Sequence, residues 1–200
     1  MKSRSILKKL PIALELLKSC FAENKRVRYF CQDESRFGLK TIQRRKITLK
    51  GVKPVGRVQW SRETFYIYGV VEPVSGESFF YEFSHLDSDC FQIFIDKLSA
   101  KYADSLNIIQ MDNSGCHTTD KLEIPENVIF MFQPAYSPEL NPIERVWRAM
   151  KDKLCWELHG SLQELRDRVY AVLKTLSCEV IASLAGWSYI TDALRIAEIK

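Results

Sequence analysis

The sequence predicts an α/β domain built on a mixed β-sheet. Aromatic and β-branched runs at 65 to 71 and 78 to 83, separated by a turn sequence with Pro and Gly, indicate two antiparallel strands. Two nearly continuous apolar runs, 107 to 113 and 128 to 132, are typical of strands buried in a parallel sheet. Helical patterns lie between and after these runs, an order that indicates helices packed against one mixed sheet.

The N-terminal half supplies the remaining elements. Residues 5 to 22 carry apolar side chains at helical spacing and predict a helix that Pro11 interrupts early. The stretch RVRYFCQDE, residues 26 to 34, alternates in the manner of a strand and ends in acids. Between 36 and 62, Gly and Pro punctuate a basic segment in which we expect short strands joined by turns, as a hairpin excursion. A helical stripe over 88 to 102 predicts the next helix.

Length and composition fit one domain with a sizeable core. The chain has 200 residues, and a hydrophobic content of 46% argues against disorder. It contains no run of about 18 apolar residues, and lysines occupy the apolar N-terminus, so we expect no membrane partner and a cytoplasmic location. The six cysteines form no CxxC pair, which predicts reduced, mostly buried thiols without zinc.

Positive charge is concentrated in one segment, although the formal net charge is only +4. Residues 36 to 62 hold nine Lys or Arg and no acid. One-sided basic stretches suggest a polyanionic partner, and the alternative is a solvated face. The candidate contacts in this stretch are Arg44, Arg45, Lys46, Lys50 and Lys53.

The stretch SPELNPIERVW, residues 137 to 147, predicts how the following helix begins. Asn141 is expected as the N-cap, Pro142 as the first helical residue and Glu144 at the third position, which together predict a capping box. Ser161 and Glu164 predict a second one. The apolar stripe of the first helix comprises Ile143, Val146, Trp147, Met150 and Leu154.

One face of this helix combines an acid with two cations. Glu144, Arg148 and Lys151 lie at i, i+4 and i+7. They form either an ordinary ion-paired, solvated face or a surface on which two cations accompany a functional carboxylate.

Two predicted strands finish in an aspartate, Asp33 and Asp112. Carboxyl ends of neighbouring strands meet at one edge of an α/β sheet, so these acids and Glu144 are expected to form a cluster. Three carboxylates without histidine or cysteine suit a hard cation such as Mg²⁺ or Mn²⁺. The alternatives are an Asp33 pair with Arg36, a loop-capping role for Asp112, and a purely capping role for Glu144.

The motifs QDES, MDNSGCH and QPAYSPELNPIERVW resemble the catalytic core of the DDE transposases, in particular the mariner-like superfamily and its bacterial insertion-sequence branch. The pattern SP-x-LNPIE-x-x-W is the most specific part. The 31 residues between Asp112 and Glu144 are close to the family's spacing. The resemblance extends from about Arg26 to Trp156.

The resemblance implies a ribonuclease H-like fold, with a mixed five-stranded sheet flanked by helices. It also implies metal-dependent DNA cleavage and strand transfer, in which Asp33, Asp112 and Glu144 are the catalytic residues and ligands of two Mg²⁺ or Mn²⁺ ions. Glu139 is the competing acid, which the family pattern assigns to the turn. His117 matches a motif histidine and is expected as a neighbour of the active site. The cationic candidates, including Arg148 and Lys151, would then contact DNA phosphates.

The implied organisation is a helical arm or linker over 1–25, the catalytic core over 26–158, and C-terminal helices packed on it over 159–200. The implied partners are double-stranded DNA, as transposon ends and target, and further copies in a homodimer or larger synaptic complex. The protein would be nucleoid-associated when on DNA.

Members of this superfamily usually carry an N-terminal helix-turn-helix domain, and about 25 residues before the first strand are too few for one. A separate helix-turn-helix polypeptide is therefore a candidate partner. Two alternatives remain open for the function: an inactive or truncated DNA-binding fragment that regulates a full-length transposase, and another ribonuclease H-like nuclease.

Overall fold

The computed structural model describes residues 2–45, 47–115, 117, 121–134 and 137–199, with the backbone alone for 2–8 and 138. Helices and strands follow the predicted order. The strands are β1 (Arg26–Gly38), β2 (Thr64–Val71), β3 (Ser78–Phe83), β4 (Ser105–Met111) and β5 (Val128–Phe132). The helices are α1 (Lys2–Phe21), α2 (Ser88–Lys101), α3 (Ile143–Lys153), α4 (Leu162–Leu173), α5 (Cys178–Ala185) and α6 (Ser188–Ile196), with a 3₁₀ turn at Pro138–Leu140 before α3.

The five strands form one mixed sheet in the order β3-β2-β1-β4-β5. β1, β2 and β3 are antiparallel neighbours, whereas β4 runs parallel to both β1 and β5. Parallel strands place their carboxyl ends at the same edge, so β1, β4 and β5 deliver the residues that follow them to one side of the domain. The predicted mixed five-stranded sheet is confirmed.

β1 is longer than predicted, because the strand continues through the acids to Gly38. Its parallel pairing with β4 ends at Cys31 opposite Gln110, while its antiparallel pairing with β2 continues to Gly38 opposite Thr64. Asp33 therefore lies inside a strand and not at its end. Asp33 still lies at the edge of the sheet where the parallel strands end, as predicted, because β4 ends at Met111 and no longer pairs with β1 there.

Alternate residues of β1 contribute to two separate cores. Tyr29 and Cys31 belong to the core shared with α1 and α3 to α6, and Phe30 belongs to the core shared with α2. This alternation is the ordinary pleat of a strand buried on both faces. By the same period, Asp33 faces the helix α3 and Glu34 faces α2.

The basic segment forms an excursion between β1 and β2, but without the predicted short strands in its described residues, 39–45 and 47–63. At its base, the Leu39 N–H donates to the Glu63 carbonyl and the Thr41 N–H to the Gln59 carbonyl. Apolar side chains farther out are exposed, so there is no packed layer that would hold a regular ladder there. We call residues 39–63 the basic loop.

The start of α3 corrects the first capping-box prediction. The N-cap position is Pro142, and no side chain caps the helix. The Asn141 amide instead donates to the Gln32 carbonyl of β1 at 2.7 Å, because that carbonyl lies where β4 no longer covers β1. In α4, Ser161 caps Glu164 as predicted, and the Glu164 carboxylate accepts from the Gly160 N–H.

Two smaller expectations were wrong. Pro11 lies within α1 and does not interrupt it. The cysteines are not mostly buried: Cys31 is buried, Cys90 and Cys155 are half-buried, Cys20 and Cys178 are exposed, and Cys116 lies outside the described residues.

Within the described part of the chain, no helix has the length and apolar character needed to cross a membrane.

Candidate active site

Asp33 is held by a tryptophan of the SPELNPIERVW stretch. The Trp147 indole N–H donates to Asp33 Oδ2 at 3.0 Å from α3. Directly opposite Asp33 in the sheet is Gly69 of β2, where an added Cβ would lie 2.8 Å from the Trp147 ring. The glycine therefore leaves the space in which the indole reaches the carboxylate, and sheet and helix together fix its position.

The electrostatic environment of Asp33 is unfavourable for its ionised form. Burial raises its pKa well above the usual range, and the charges of Glu34, Glu144 and Asp112 raise this pKa further. The three acids are thus close enough to act on Asp33. Glu144 and Asp112, the other two acids of the predicted cluster, thus act on Asp33 through their charge, and Glu34 does so as well.

Asp112 follows β4 directly and closes a short turn. Its Oδ1 accepts from the Ser114 N–H at 2.9 Å and contacts His117 Nδ1 at 3.0 Å. The hydrogen bonds from His117 and from the Ser114 backbone lower the pKa of Asp112. The side chain remains 59% exposed, so Asp112 caps its loop and still presents a carboxylate to the solvent.

His117 joins two carboxylates from different strands. Its Nδ1 contacts Asp112, its Nε2 lies 2.9 Å from Glu34 Oε1, and its ring packs on Phe91 of α2 at 4.4 Å between centroids. Gln32 adds a 2.7 Å hydrogen bond to the same Glu34 oxygen. The imidazole is buried, and both ring nitrogens face carboxylates, so His117 orients Asp112 from the α2 side of the sheet.

Glu144 lies in the first turn of α3 with its side chain exposed. Within the described residues it forms no ion pair, so the predicted alternative of a pair with Arg148 is not observed, and Asp33 likewise has no ion pair with Arg36. The capping box is absent as well, so Glu144 contributes to its helix only as an acid in the first turn. Its carboxylate is available beside Asp33.

A groove of about 780 Å³ adjoins this cluster and carries the predicted cations of α3. Glu144, Arg148, Lys151 and, from the basic loop, Arg44 line it. Burial lowers the pKa of Lys151, and the nearby charges of Glu144 and Asp33 act in the opposite direction. The groove thus places a partly buried lysine between the acids and the basic loop.

The other predicted cations lie farther along the basic loop. Arg45, Lys50 and Lys53 are exposed to the solvent, and Lys46 lies outside the described residues. Arg44 is tied to the end of α3 by an ion pair with Asp152 at 2.7 Å.

The donor set fits a hard cation in its chemistry. Asp33, Asp112 and Glu144 offer only oxygen, and a cation would relieve the repulsion that raises the pKa of Asp33. In the part of the chain that is described, no three acidic, histidine or cysteine side chains are already arranged to enclose an ion. The exposed carboxylates of Asp112 and Glu144 would have to turn toward Asp33 on binding.

Sequence reasoning missed two members of the site. The helical pattern places Trp147 only in the apolar stripe, although its position three residues after Glu144 puts it on the same side of α3. Glu34 follows Asp33 directly. Two adjacent acids on a largely buried strand could have indicated that Glu34 also belongs to the site.

Comparison with known proteins identifies the family of the chain. A family model described as "DDE superfamily endonuclease" matches residues 28–166. A Sinorhizobium fredii (strain NBRC 101917 / NGR234) protein, "Uncharacterized protein y4pE/y4sA", is 35% identical over 88 residues, which cover 44% of this chain and 65% of that protein.

Solved structures of the Mos1 transposase share the fold. The paired-end complex with the left transposon end gives a TM-score of 0.64 at 12% identity, covering 96% of this chain and 62% of that one. The Mos1 mariner paired-end complex with Mn gives 0.62 at 15% identity, covering 96% and 59%. The chain thus spans less than two thirds of the length of these relatives. The sheet and its helices form a ribonuclease H-like core, and by the match over residues 28–166 the chain belongs to the DDE superfamily of endonucleases.

Proposed function

We propose that this chain is the catalytic domain of a transposase, which cleaves DNA at transposon ends and joins the freed 3′-hydroxyl to target DNA. Asp33, Asp112 and Glu144 are its catalytic residues. The observation that carries the proposal is the half-buried Asp33 carboxylate, which Trp147 holds in place while Asp112 and Glu144 act on it electrostatically. Structural acids are rarely kept in such a position without a cationic partner.

The proposed cofactor is a pair of Mg²⁺ or Mn²⁺ ions, and Mos1 paired-end complexes have been solved with Mn and with Mg. Such ions supply charge stabilisation for the attacking and leaving oxygens of an in-line displacement. Asp33, Asp112 and Glu144 would hold them. Trp147 holds Asp33 in place before binding. Asp112, which His117 and the Ser114 N–H contact through Oδ1, would turn toward Asp33 on binding.

The proposed substrate is double-stranded DNA, bound along the groove beside α3. Arg148 and Lys151 line the groove together with Glu144. Cations beside the acids would hold the phosphates that flank the reacting bond. Arg44, Arg45, Lys50 and Lys53 extend the positive surface along the basic loop, and we include Lys46 in the same proposal. Transposon-end recognition and assembly into a dimer or larger synaptic complex belong to the same proposal, with a helix-turn-helix domain or polypeptide as partner.

Replacement of Glu144 by Gln tests the catalytic assignment. Because α3 begins without a capping box, Glu144→Gln should leave the free energy of unfolding within about 0.5 kcal/mol of wild type. DNA binding should persist, whereas cleavage of a supercoiled plasmid in Mg²⁺ or Mn²⁺ should be abolished, since a neutral amide is a poor ligand for a hard cation.

Glu139→Gln is the matched control. Glu139 precedes α3 in the 3₁₀ turn and lines the same groove, so it tests the effect of removing one negative charge there. It should retain more cleavage than Glu144→Gln. Wild-type cleavage by Glu144→Gln together with an inactive Glu139→Gln would transfer the ligand role to Glu139. A wild-type chain that binds DNA but never nicks it, with a helix-turn-helix partner supplied, would favour the regulatory fragment.

The DNA-binding part is tested separately, in the absence of metal. Replacing Arg45, Lys50 and Lys53 by Ala should weaken binding to unrelated duplexes equally, because phosphate contacts carry no sequence information. The slope of log K against log salt should fall by about 0.9 for each cation that no longer neutralises a phosphate. An unchanged slope would show that these side chains do not contact DNA.

A further inference from the structure

Trp156 has an unusual backbone conformation directly after α3. Its φ is 65°, in the left-handed region that is unfavourable for a bulky residue with a Cβ atom. Such a conformation persists only where surrounding contacts determine it. Among the described residues, the hydrogen bonds of Trp156 to residues distant in sequence are with the basic loop.

Both limbs of the basic loop meet at this tryptophan. The Trp156 backbone N–H donates to the Ile42 carbonyl at 2.9 Å, and its indole N–H donates to the Arg44 carbonyl at 3.1 Å. From the returning limb, Gly56 packs flat on the ring, where an added Cβ would lie 2.6 Å from Cζ3. The left-handed backbone is what allows one residue to direct its N–H and its ring toward the same loop.

Leu39 at the base of the loop is buried in the core and Ile42 packs against it, but the loop has little packing farther out. Its outer apolar side chains point into solvent, as illustrated by Val55, which is 91% exposed. Closer to the domain, the ion pair between Arg44 and Asp152 ties the same limb to the last turn of α3. The direction in which the basic loop leaves the domain is therefore set at the end of α3.

We propose that Trp156 is a positioning residue that fastens the basic loop to α3. The fastening keeps Arg44 in the groove with Glu144 and Lys151 and so aligns the loop's cations with the carboxylate cluster. The loop's role toward DNA rests on the function proposed above, whereas the fastening itself concerns the protein alone.

The fastening is tested by hydrogen exchange of the free protein. The amides of Thr41 and Gln59 report on the base of the loop, since each is hydrogen-bonded across it. Trp156→Phe removes the indole donor and should accelerate their exchange by roughly fivefold, the effect of one ordinary hydrogen bond. Gly56→Ala places a methyl group against the Trp156 ring from the loop side. It should accelerate exchange of the Thr41 and Gln59 amides at least as much. Val55→Ala is the matched control, because Val55 is the exposed neighbour of Gly56. In this variant the Thr41 and Gln59 amides should exchange at the wild-type rate.

The consequence for DNA is measured by fluorescence anisotropy with a labelled random-sequence duplex, without metal. Trp156→Phe and Gly56→Ala should each bind roughly three- to tenfold more weakly, as expected when about one phosphate contact is no longer aligned. Circular dichroism and the melting temperature establish that both variants are folded.

Two results would overturn the proposal: wild-type exchange at Thr41 and Gln59 in both variants, or accelerated exchange with unchanged DNA affinity in a protein whose affinity is lowered by replacing Arg45, Lys50 and Lys53 with Ala. Failure of the proposed function has a different appearance. Hydrogen exchange and DNA binding would then still differ between the wild-type protein and the variants as expected. The wild-type protein, however, would not cleave DNA.

Discussion

Removal of the indole donor from Asp33 should reveal how strongly α3 holds the carboxylate. Trp147 is only 2% exposed, and Trp147→Phe keeps an aromatic ring in its place. A hydrogen bond to a charged acceptor contributes about 1.5 to 3 kcal/mol. The packing of the indole's second ring, which phenylalanine lacks, adds roughly 1 kcal/mol. Where the pH is above the folded-state pKa of Asp33, we expect the free energy of unfolding to fall by about 2.5 to 4 kcal/mol, the sum of these two effects.

The two contributions differ in their dependence on pH. The folded-state pKa of Asp33 lies above its unfolded value, so its contribution to stability is fully present at low pH and is lost as the pH rises through the folded pKa. The indole favours the ionised form, and its removal raises that pKa further. The gap between wild type and variant should therefore be smaller where Asp33 is protonated, because a neutral carboxyl accepts a weaker hydrogen bond, and should widen as the pH rises through the folded-state pKa of Asp33.

Urea unfolding over a pH series, in EDTA, measures this gap. The series starts at the lowest pH at which both proteins remain folded. Trp60→Phe is the control, because Trp60 is 70% exposed on the basic loop and its substitution should change little at any pH. A gap for Trp147→Phe that stays constant across the series would refute the proposed hydrogen bond to an ionising Asp33.

Three further outcomes are expected. Mg²⁺ or Mn²⁺ should raise the melting temperature of the wild-type protein, and Asp112→Asn should weaken this response, as thermal melts with and without metal would reveal. Gly69→Ala should lower the free energy of unfolding by about 1 to 3 kcal/mol, because its Cβ would collide with Trp147, whereas Gly115→Ala, with open space around it, should change it little in urea titrations. His117→Ala should destabilise the protein by about 1 to 3 kcal/mol by leaving Glu34 short of a partner, and adding Glu34→Gln should restore part of that stability in a double-mutant cycle.

The elements of the sheet followed from local patterns in the sequence. The runs at 65 to 71 and 128 to 132 coincide with β2 and β5 almost residue for residue. β2 is mostly buried, which requires continuous apolar sequence, whereas β5 lies at the edge of the sheet and is mostly half-buried, so its predicted burial was wrong. The convergence of Asp33 and Asp112 followed from parallel pairing, which needs no knowledge of side-chain contacts. Their roles as ligands remain predictions.

The contacts between elements were not predictable in the same way. Asn141 has the sequence context of an N-cap, yet its amide serves the Gln32 carbonyl, because a strand that outruns its neighbour leaves that carbonyl without a ladder partner. The bond between Trp147 and Asp33 depends on the angle at which α3 crosses the sheet and on the missing side chain at Gly69. Neither contact can be predicted from the spacing of apolar residues along the sequence.

The alternation of acids along β1 restricts where the length of this chain can change during evolution. One residue inserted or deleted between Arg26 and Asp33 would exchange the faces of Asp33 and Glu34, sending one acid toward α2 and the other toward α3. The basic loop is under no such restriction, because it leaves and re-enters the sheet at paired positions and loop closure becomes only slowly less favourable with length. Among proteins of this architecture, we therefore expect insertions and deletions to accumulate between β1 and β2, while the strand before Asp33 keeps its length to the residue.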